Sequence, residues 1–477
     1  MKKFLPVLPL VAALALTGCV NLAPDYERPA APVAEQWPMG ESYQAGEIKR
    51  QALPKWEEFV LDERLKQVIR LALENNRDLR ITALNVEVAR AAYGVQRADL
   101  MPTVAAAAQN AVSHYESTSR TSHAYSASLA MSSYEIDFFG RVRNLTEQAL
   151  QAYLQSEDAQ RTAQGSLIAE VINAWLTLGA DRAQLELQKE TLASQEESFR
   201  LVEESYKYGA ASQLELEQSR QTTAAARAAI ASYIRAVAQD QNALELLAGT
   251  KIDESLLPTT LTLSATLPAY LPEGLPSEVL LNRPDIMSAE RGMIAANAYI
   301  GVARAAFFPS ISLTGSLGSQ STSLSDLFGN GSGFWAFTPS VSLPLFTGGA
   351  NLANLQSAAA QERIAAATYE QTIQSAFREV ADALATEGTI ERELKARTEY
   401  ADAASKAFEL SSSRYKHGAA AYTEVLDAQR TKVSAQQALI TTQLSRAASF
   451  VTLYKVLGGG TEVANPGADV PKVGVFK

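Results

Sequence analysis

The chain reads as an α+β membrane protein in which long antiparallel coiled helices carry short runs of barrel-type strand. Three observations predict this. A phrase of helix, proline and alternating strand is written twice, as Gly94–Asn110 around Pro102 and as Gly301–Gln320 around Pro309, an internal duplication. From Asn144 to Tyr208 there is no proline, and about 65 helical residues reach on the order of 100 Å, beyond any globular core. Finally, the residues after Pro309 alternate, with Ile311, Leu313, Gly315 and Leu317 on one face and Ser312, Thr314 and Ser316 on the other.

Composition narrows the function. Of 477 residues, 47% are hydrophobic and 20% charged, which is globular rather than disordered. The net charge of −10 and the lack of a basic patch disfavour a nucleic-acid partner. With one cysteine, and with His114, His123 and His417 far apart, no metal-ligand set is expected. No nucleophile–base pair, phosphate loop or dinucleotide motif is present, so an enzyme is not expected, nor a cofactor beyond a covalent lipid.

That lipid is read at the N-terminus. Lys2 and Lys3 precede an apolar run from Phe4 to Leu16, too short for a transmembrane helix and typical of a secretory signal over residues 1–18. The ending Leu16-Thr17-Gly18-Cys19 resembles a bacterial lipobox, which makes Cys19 the lipidated first mature residue. Removing the two lysines takes the charge from −10 to −12, and Val20 in place of an aspartate favours sorting to the outer membrane.

Residues 19–60 form a proline-rich arm whose end docks through Trp56 and Phe59. A first repeat follows at 61–249: short helices, a hairpin at 103–138, a long helix at 144–208 and a return helix at 212–248. A linker, 250–275, joins it to a second repeat at 276–458, with a hairpin at 309–346, a long helix at 351–416 and a return helix at 421–457; a tail occupies 459–477. The copies keep a shift of 207 from Asp78/Asp285 to Leu145/Leu352, and of 209 from Phe199/Phe408 to Gly249/Gly458. Along the long helices Val171, Leu178, Leu185, Leu192, Phe199 and Tyr206 step by seven, as do Leu394, Ala401, Phe408 and Tyr415, so coiled-coil packing is expected. Gly209 and Gly418 end them in the matching turns SYKYGAAS and RYKHGAAA.

The strand from Trp335 to Leu345 places Trp335, Phe337, Pro339, Val341, Leu343 and Leu345 opposite Ala336, Thr338, Ser340 and Ser342. An ordinary half-buried sheet alternates in the same way; the lipid signal and the missing transmembrane helix favour a barrel. Four strands cannot close one, and open edges are forbidden in lipid, so several chains must pool their strands. Two copies give about eight strands and three about twelve, and only the larger number leaves an aqueous lumen.

Taken with these features, LTGC at 16–19, NNRDLR at 75–80, YEIDFFGRVR at 134–143, LNRPDI at 281–286, ARAAFFPSISLTGS at 303–316, FREVADALA at 377–385 and LDAQR at 426–430 resemble the TolC family of outer-membrane factors, in its lipidated OprM-like branch. The resemblance covers essentially the whole mature chain. It implies a homotrimer with a 12-stranded outer-membrane β-barrel joined to a periplasmic α-barrel. It further implies a passive duct, fed by an inner-membrane pump of RND type through a periplasmic adaptor, for drugs and other toxic small molecules. Ducts for secreted protein or metal ions are the alternatives, and a trimeric structural envelope lipoprotein is another of a different class.

Matching the family's gate places Glu215, Glu424 and Asp427 at an acidic constriction, Thr423 where leucine is common, and Tyr415 in the closing network. The family's arginine partner falls on Ala420, which leaves Lys207, Lys416 or Arg414 as candidate latches. Tyr206, Lys207, Gly209, Lys416 and Gly418 mark the tips on which an adaptor would dock.

Overall fold

The computed structural model describes residues 20–43, 53–117, 119–268 and 277–461. Residues 1–18, read above as a signal segment, Cys19, read as the lipidated residue, residues 44–52 of the arm, part of the linker and most of the tail lie outside the described residues. Eleven elements matter here: α1 (Glu63–Asn75), α2 (Arg77–Ala98), β1 (Val104–Tyr115), β2 (Arg120–Glu135), α3 (Arg141–Lys207), α4 (Gln213–Ala248), α5 (Pro284–Ala305), β3 (Ser310–Ser321), β4 (Gly333–Ser342), α6 (Ala350–Lys416) and α7 (Tyr422–Val456). The duplication shows in their lengths. Helices α2 and α5 each have 22 residues, α3 and α6 each have 67, and α4 and α7 have 36 and 35.

Residue contacts divide the chain into two units. One contains the sheet, the segment up to Ala31, Leu84–Asp158 and Met287–Thr372. Its four strands are antiparallel in the order β1-β2-β3-β4. The register lines up Val104, Met131, Gly315 and Phe337 in one row, and Ala106, Leu129, Leu317 and Trp335 in the next. A bulge between Met131 and Tyr134, with Ser133 at φ 47°, inserts a residue that returns Tyr134 to the apolar face opposite Leu313. Gly318 is required by close approach, since a Cβ there would stand 2.2 Å from the Ala127 carbonyl.

In the same unit the chain after residue 19 is strapped along α5. Glu290, Asn297 and Arg304 step by seven on that helix: Arg28 donates Nε (2.7 Å) and Nη2 (2.5 Å) to the Glu290 carboxylate, Asn297 donates to Pro24 O (2.9 Å), and Arg304 donates to Leu22 O (3.0 Å). Tyr26 adds its hydroxyl to Glu290 at 3.0 Å, and burial together with that carboxylate pushes the phenol's pKa up. The Val20 amide reaches Phe138 O at 2.9 Å, so the first described residue lies beside the exit of β2.

The other unit holds the helix junctions. Asn76 caps two helices at once: Oδ1 accepts from Leu79 N (2.9 Å) at the start of α2, and Nδ2 donates to Leu247 O (2.9 Å) at the end of α4. In the second repeat Arg283 takes the equivalent place, donating Nη1 to Val456 O (2.7 Å) and Nη2 to Asp285 (2.7 Å) and Glu379 (2.9 Å). The apolar belt here is Leu167, Ile168, Val171, Ile172, Trp175 and Leu178 of α3, all buried, while Phe59 stacks on Tyr454 at 3.9 Å. Trp56 and Phe59 are buried, and Trp37 of the arm stacks on Phe377 at 4.8 Å.

Beyond the belt the heptad reading needs correction. The buried stripe of α3 is Gln184, Gln188, Thr191 and Gln195, whereas Leu185 and Leu192 are only half-buried. The helix turns a polar stripe toward α7, where Gln184 donates to Gln437 O at 3.1 Å, so the seven-residue leucine step marks a flank of that contact rather than its centre.

Two predictions follow from these junctions. Arg283→Ala strands two carboxylates and a helix end, and unfolding of the purified protein should show a loss of about 3 kcal/mol, the low end for a broken buried pair because Glu379 still reaches water. Asp240 on α4 shares a hydrogen bond with Asp181 on α3, and burial plus that neighbour's charge push it from 3.8 up to about 6. The folded state therefore holds a proton that the unfolded chain releases, and stability falls as pH rises from about 4 through 6. Thermal unfolding across that range should show this decline, and Asp240→Asn should flatten it and raise the melting temperature at pH 7.5.

Candidate functional site

Two surfaces are candidates for function, and each is built from its own repeat chemistry. The first is the sheet. Its polar face, read across the register, is Ala105 to Ser113, Ser122 to Ala130, Ser310 to Gln320 and Phe334 to Ser342 in alternate positions, uncharged over those rows, with Arg120 opposite Tyr115 and Glu135 opposite Ser312 placing one charge at each end of β2 on the same face. Its other face is mainly aliphatic and aromatic, with Asn110, His114, Thr121 and His123 toward the β1–β2 turn, and it is uncovered: Trp335 is 76% exposed, Val341 67% and Leu317 62%. An exposed apolar face of this size on a single layer is a lipid or partner surface. Strands of 10 to 16 residues are long enough to cross a bilayer.

The second surface is the paired turns. Each ends its long helix by the same two bonds around a left-handed glycine. Gly209 N donates to Tyr206 O and Ala210 N to Ser205 O; Gly418 N donates to Tyr415 O and Ala419 N to Arg414 O. Beneath them Val202, Leu216, Tyr422, Val425 and Leu426 form a buried plug, with Phe199, Phe408, Ala211 and Tyr415 packed on it. Tyr415 and Tyr422 meet at 5.3 Å and 50°. Burial, with the Glu215 charge, pushes both phenols above their ordinary value, so both stay protonated.

The gate residues read from sequence separate into two groups. Thr423, Glu424 and Asp427 share the exposed face of α7, opposite buried Tyr422, Val425, Leu426 and Gln429. Arg414 Nη1 stands 3.5 Å from Glu424 Oε2 and Nη2 donates to Ala419 O at 3.1 Å; Arg430 lies 3.9 Å from Asp427. Glu215 does different work. It closes a capping box in which Glu215 N donates to Ser212 Oγ (3.2 Å) and Ser212 N donates to Glu215 Oε2 (2.7 Å). The Ser-x-x-Glu signal for that box was present in the sequence. Of the candidate latches, Arg414 reaches an acid across the turn, while Lys207 pairs within its own helix with Glu203 at 3.5 Å. At the tips Tyr206 is partly exposed and Tyr208 is 88% exposed. Tyr422 is the residue that the sequence reading missed; its spacing with Val425, Leu426 and Gln429 was the available signal.

A four-stranded sheet with an uncovered apolar face and a largely uncharged polar one, together with two 67-residue helices that each end in a glycine turn beside exposed acids, defines a membrane channel subunit. The chain belongs to the outer membrane efflux protein family, whose model matches residues 68–250 and 275–459, one segment per repeat. It is similar to the solvent efflux pump outer membrane protein SrpC of Pseudomonas putida, 46% identical over 466 residues covering 96% of this chain and 98% of that protein. The antibiotic efflux pump outer membrane protein ArpC of Pseudomonas putida is likewise 46% identical, over 94% of each chain. Among solved structures, the open state of the MtrE outer membrane channel of Neisseria gonorrhoeae is 38% identical, with a TM-score of 0.85 over 93% of this chain and 99% of that one.

The acidic face of α7 yields a prediction. Glu424→Ala combined with Asp427→Ala removes two exposed carboxylates and the Arg414 tie, and closed-state conductance in planar bilayers should rise several-fold. Unchanged conductance would show that these acids do not constrict the pore.

Proposed function

We propose that three copies of the chain join their sheets into one 12-stranded barrel, forming the outer-membrane exit duct of a tripartite efflux system. One observation carries this. The sheet has four strands, and the outer edges of β1 and β4 are unpaired within the described residues, which a hydrocarbon environment does not tolerate. Three copies supply the fewest strands that leave a water-filled lumen.

The duct is passive and needs no cofactor; the covalent lipid is on Cys19. Substrate enters from an inner-membrane pump of RND type through a periplasmic adaptor. The turns around Tyr206, Lys207, Gly209, Lys416 and Gly418 are the docking tips, because they combine exposed aromatics with backbone fixed by two bonds each. The cargo is organic solvents and amphipathic antibiotics. This is supported by the names of the relatives and by a polar sheet face that is uncharged between Arg120 and Glu135 at the two ends of β2.

The test is complementation. In a Gram-negative host that keeps a cognate pump and adaptor but lacks its own channel, this chain should restore toluene tolerance and lower the accumulation of a fluorescent efflux dye several-fold. A correctly localised, trimeric protein that restores neither would overturn the cargo assignment.

A further inference from the structure

Between its belt and its plug, helix α3 turns a polar stripe inward. Gln184, Gln188, Thr191 and Gln195 step by four, three and four, so they share one side of the helix, and each is at most 9% exposed. Before this stretch the same helix buries Ile172, Trp175 and Leu178, and after it Val202 enters the plug. Helix α7 is fixed beside the stripe at one end by Gln437, whose carbonyl accepts from Gln184 Nε2 (3.1 Å), and at the other by Val425 and Leu426 in the plug. Helix α4 is fixed in the same way by the hydrogen bond of Asp240 to Asp181 and by Leu216 in the plug. The stripe is thus enclosed by α4 and α7, with an apolar collar at each end.

Three amide atoms on the stripe are buried without a protein partner among the described residues: Gln184 Oε1, Gln188 Nε2 and Gln195 Oε1. Polar groups nearby are engaged elsewhere. Thr191 Oγ1 donates to Leu187 O (2.7 Å) and Thr223 Oγ1 to Ser219 O (3.0 Å), each within its own helix, and the Gln437 side chain serves the Tyr233 hydroxyl. The second repeat has no such stripe. With the shift of 209 residues that relates Leu185 to Leu394 and Phe199 to Phe408, the same positions of α6 are Glu393, Arg397, Tyr400 and Ala404. The first three of these are exposed, so only α3 takes its polar side chains out of bulk solvent.

We infer that a file of ordered water runs along this stripe, held by α3, α4 and α7 between the belt and the plug. A buried amide left unpaired is costly, and water both donates to an amide oxygen and accepts from an amide nitrogen while bringing neither charge nor bulk. Buried waters in folded proteins make about three such bonds each. From Gln184 to Gln195 the helix rises about 16 Å, which gives room for on the order of six waters at hydrogen-bond spacing. The collars close the column with apolar side chains, so its water is bound rather than bulk. A water-bridged contact buries fewer apolar atoms than the belt does, and the middle of α3 therefore opens locally more readily than the stretch before it. Because the stripe is buried within one chain, the file does not depend on how copies associate.

Two measurements on the full-length protein, purified in detergent, decide the matter. A crystallographic or cryo-electron-microscopy map fine enough to place ordered water should show peaks within hydrogen-bonding distance of Gln184 Oε1, Gln188 Nε2 and Gln195 Oε1. An empty seam, or amides paired with one another or with α4 and α7, overturns the inference. Hydrogen–deuterium exchange read by mass spectrometry should be roughly tenfold faster for the amides of 184–195 than for those of 167–178. Gln188→Leu combined with Gln195→Leu expels the water, and should slow the first stretch several-fold while leaving the second unchanged. A folded double variant whose first stretch exchanges as fast as before overturns the file. Equal rates for the two stretches in the unsubstituted protein overturn it as well, whether or not the double variant folds.

Discussion

Unpaired backbone groups govern this molecule. Each N–H and C=O left open in hydrocarbon costs several kcal/mol, and the two outer strands of a four-stranded sheet would present a row of them. No side-chain arrangement offsets that. The sheet is therefore not a domain in its own right, and the bare apolar face that it presents among the described residues has the same origin. An ordinary antiparallel sheet rests one face on a core; this one keeps aromatics bare on one side and serines on the other because lipid and water complete it.

Duplication then shows which jobs are fixed and which residues are interchangeable. The junction between a return helix and the next short helix must satisfy a helix end in both repeats. Asn76 does so as a neutral double cap, whereas Arg283 does so with a charge that must be balanced by Asp285 and Glu379. The glycine-ended turns, by contrast, share both of their closing bonds, because only a left-handed residue allows both amides to turn back on the helix. Residue identity diverged at the caps, and the job did not.

Much of this was legible in the sequence. Pro102 and Pro309 mark the change from helix to strand, Gly209 and Gly418 mark the turns, and alternation after Pro309 fixes the faces of β3 and β4; each is a local signal. The register across β1 and β2 was not legible, since β1 is largely alanine and β2 needs the Ser133 bulge to keep Tyr134 in phase. The glutamine stripe of α3 was hidden for another reason. Leucines at a seven-residue step dominate the pattern, and whether Leu185 or Gln184 faces a neighbour depends on where α7 lies, which is tertiary information. Glu215 was assigned by position in a family motif, and the reciprocal Ser212 bonds show that a local cap already uses it.

The two tips consequently differ in how firmly they are held. The first return helix begins with a capping box, an arrangement whose loss costs about 1 kcal/mol. The second begins at Ala421, which caps nothing, and its tie is the Arg414–Glu424 pair at 3.5 Å with both side chains half in water. Such a pair contributes a few tenths of a kcal/mol and weakens with salt. What keeps α7 in place is burial of Tyr422, Val425 and Leu426 in the plug. The second hairpin is therefore the cheaper of the two to displace, and it is also the one whose outward face carries Glu424 and Asp427. Ala420 stands where the family resemblance places an arginine, and the Arg414–Glu424 pair, unlike the plug beneath it, lies within a single hairpin in contact with water.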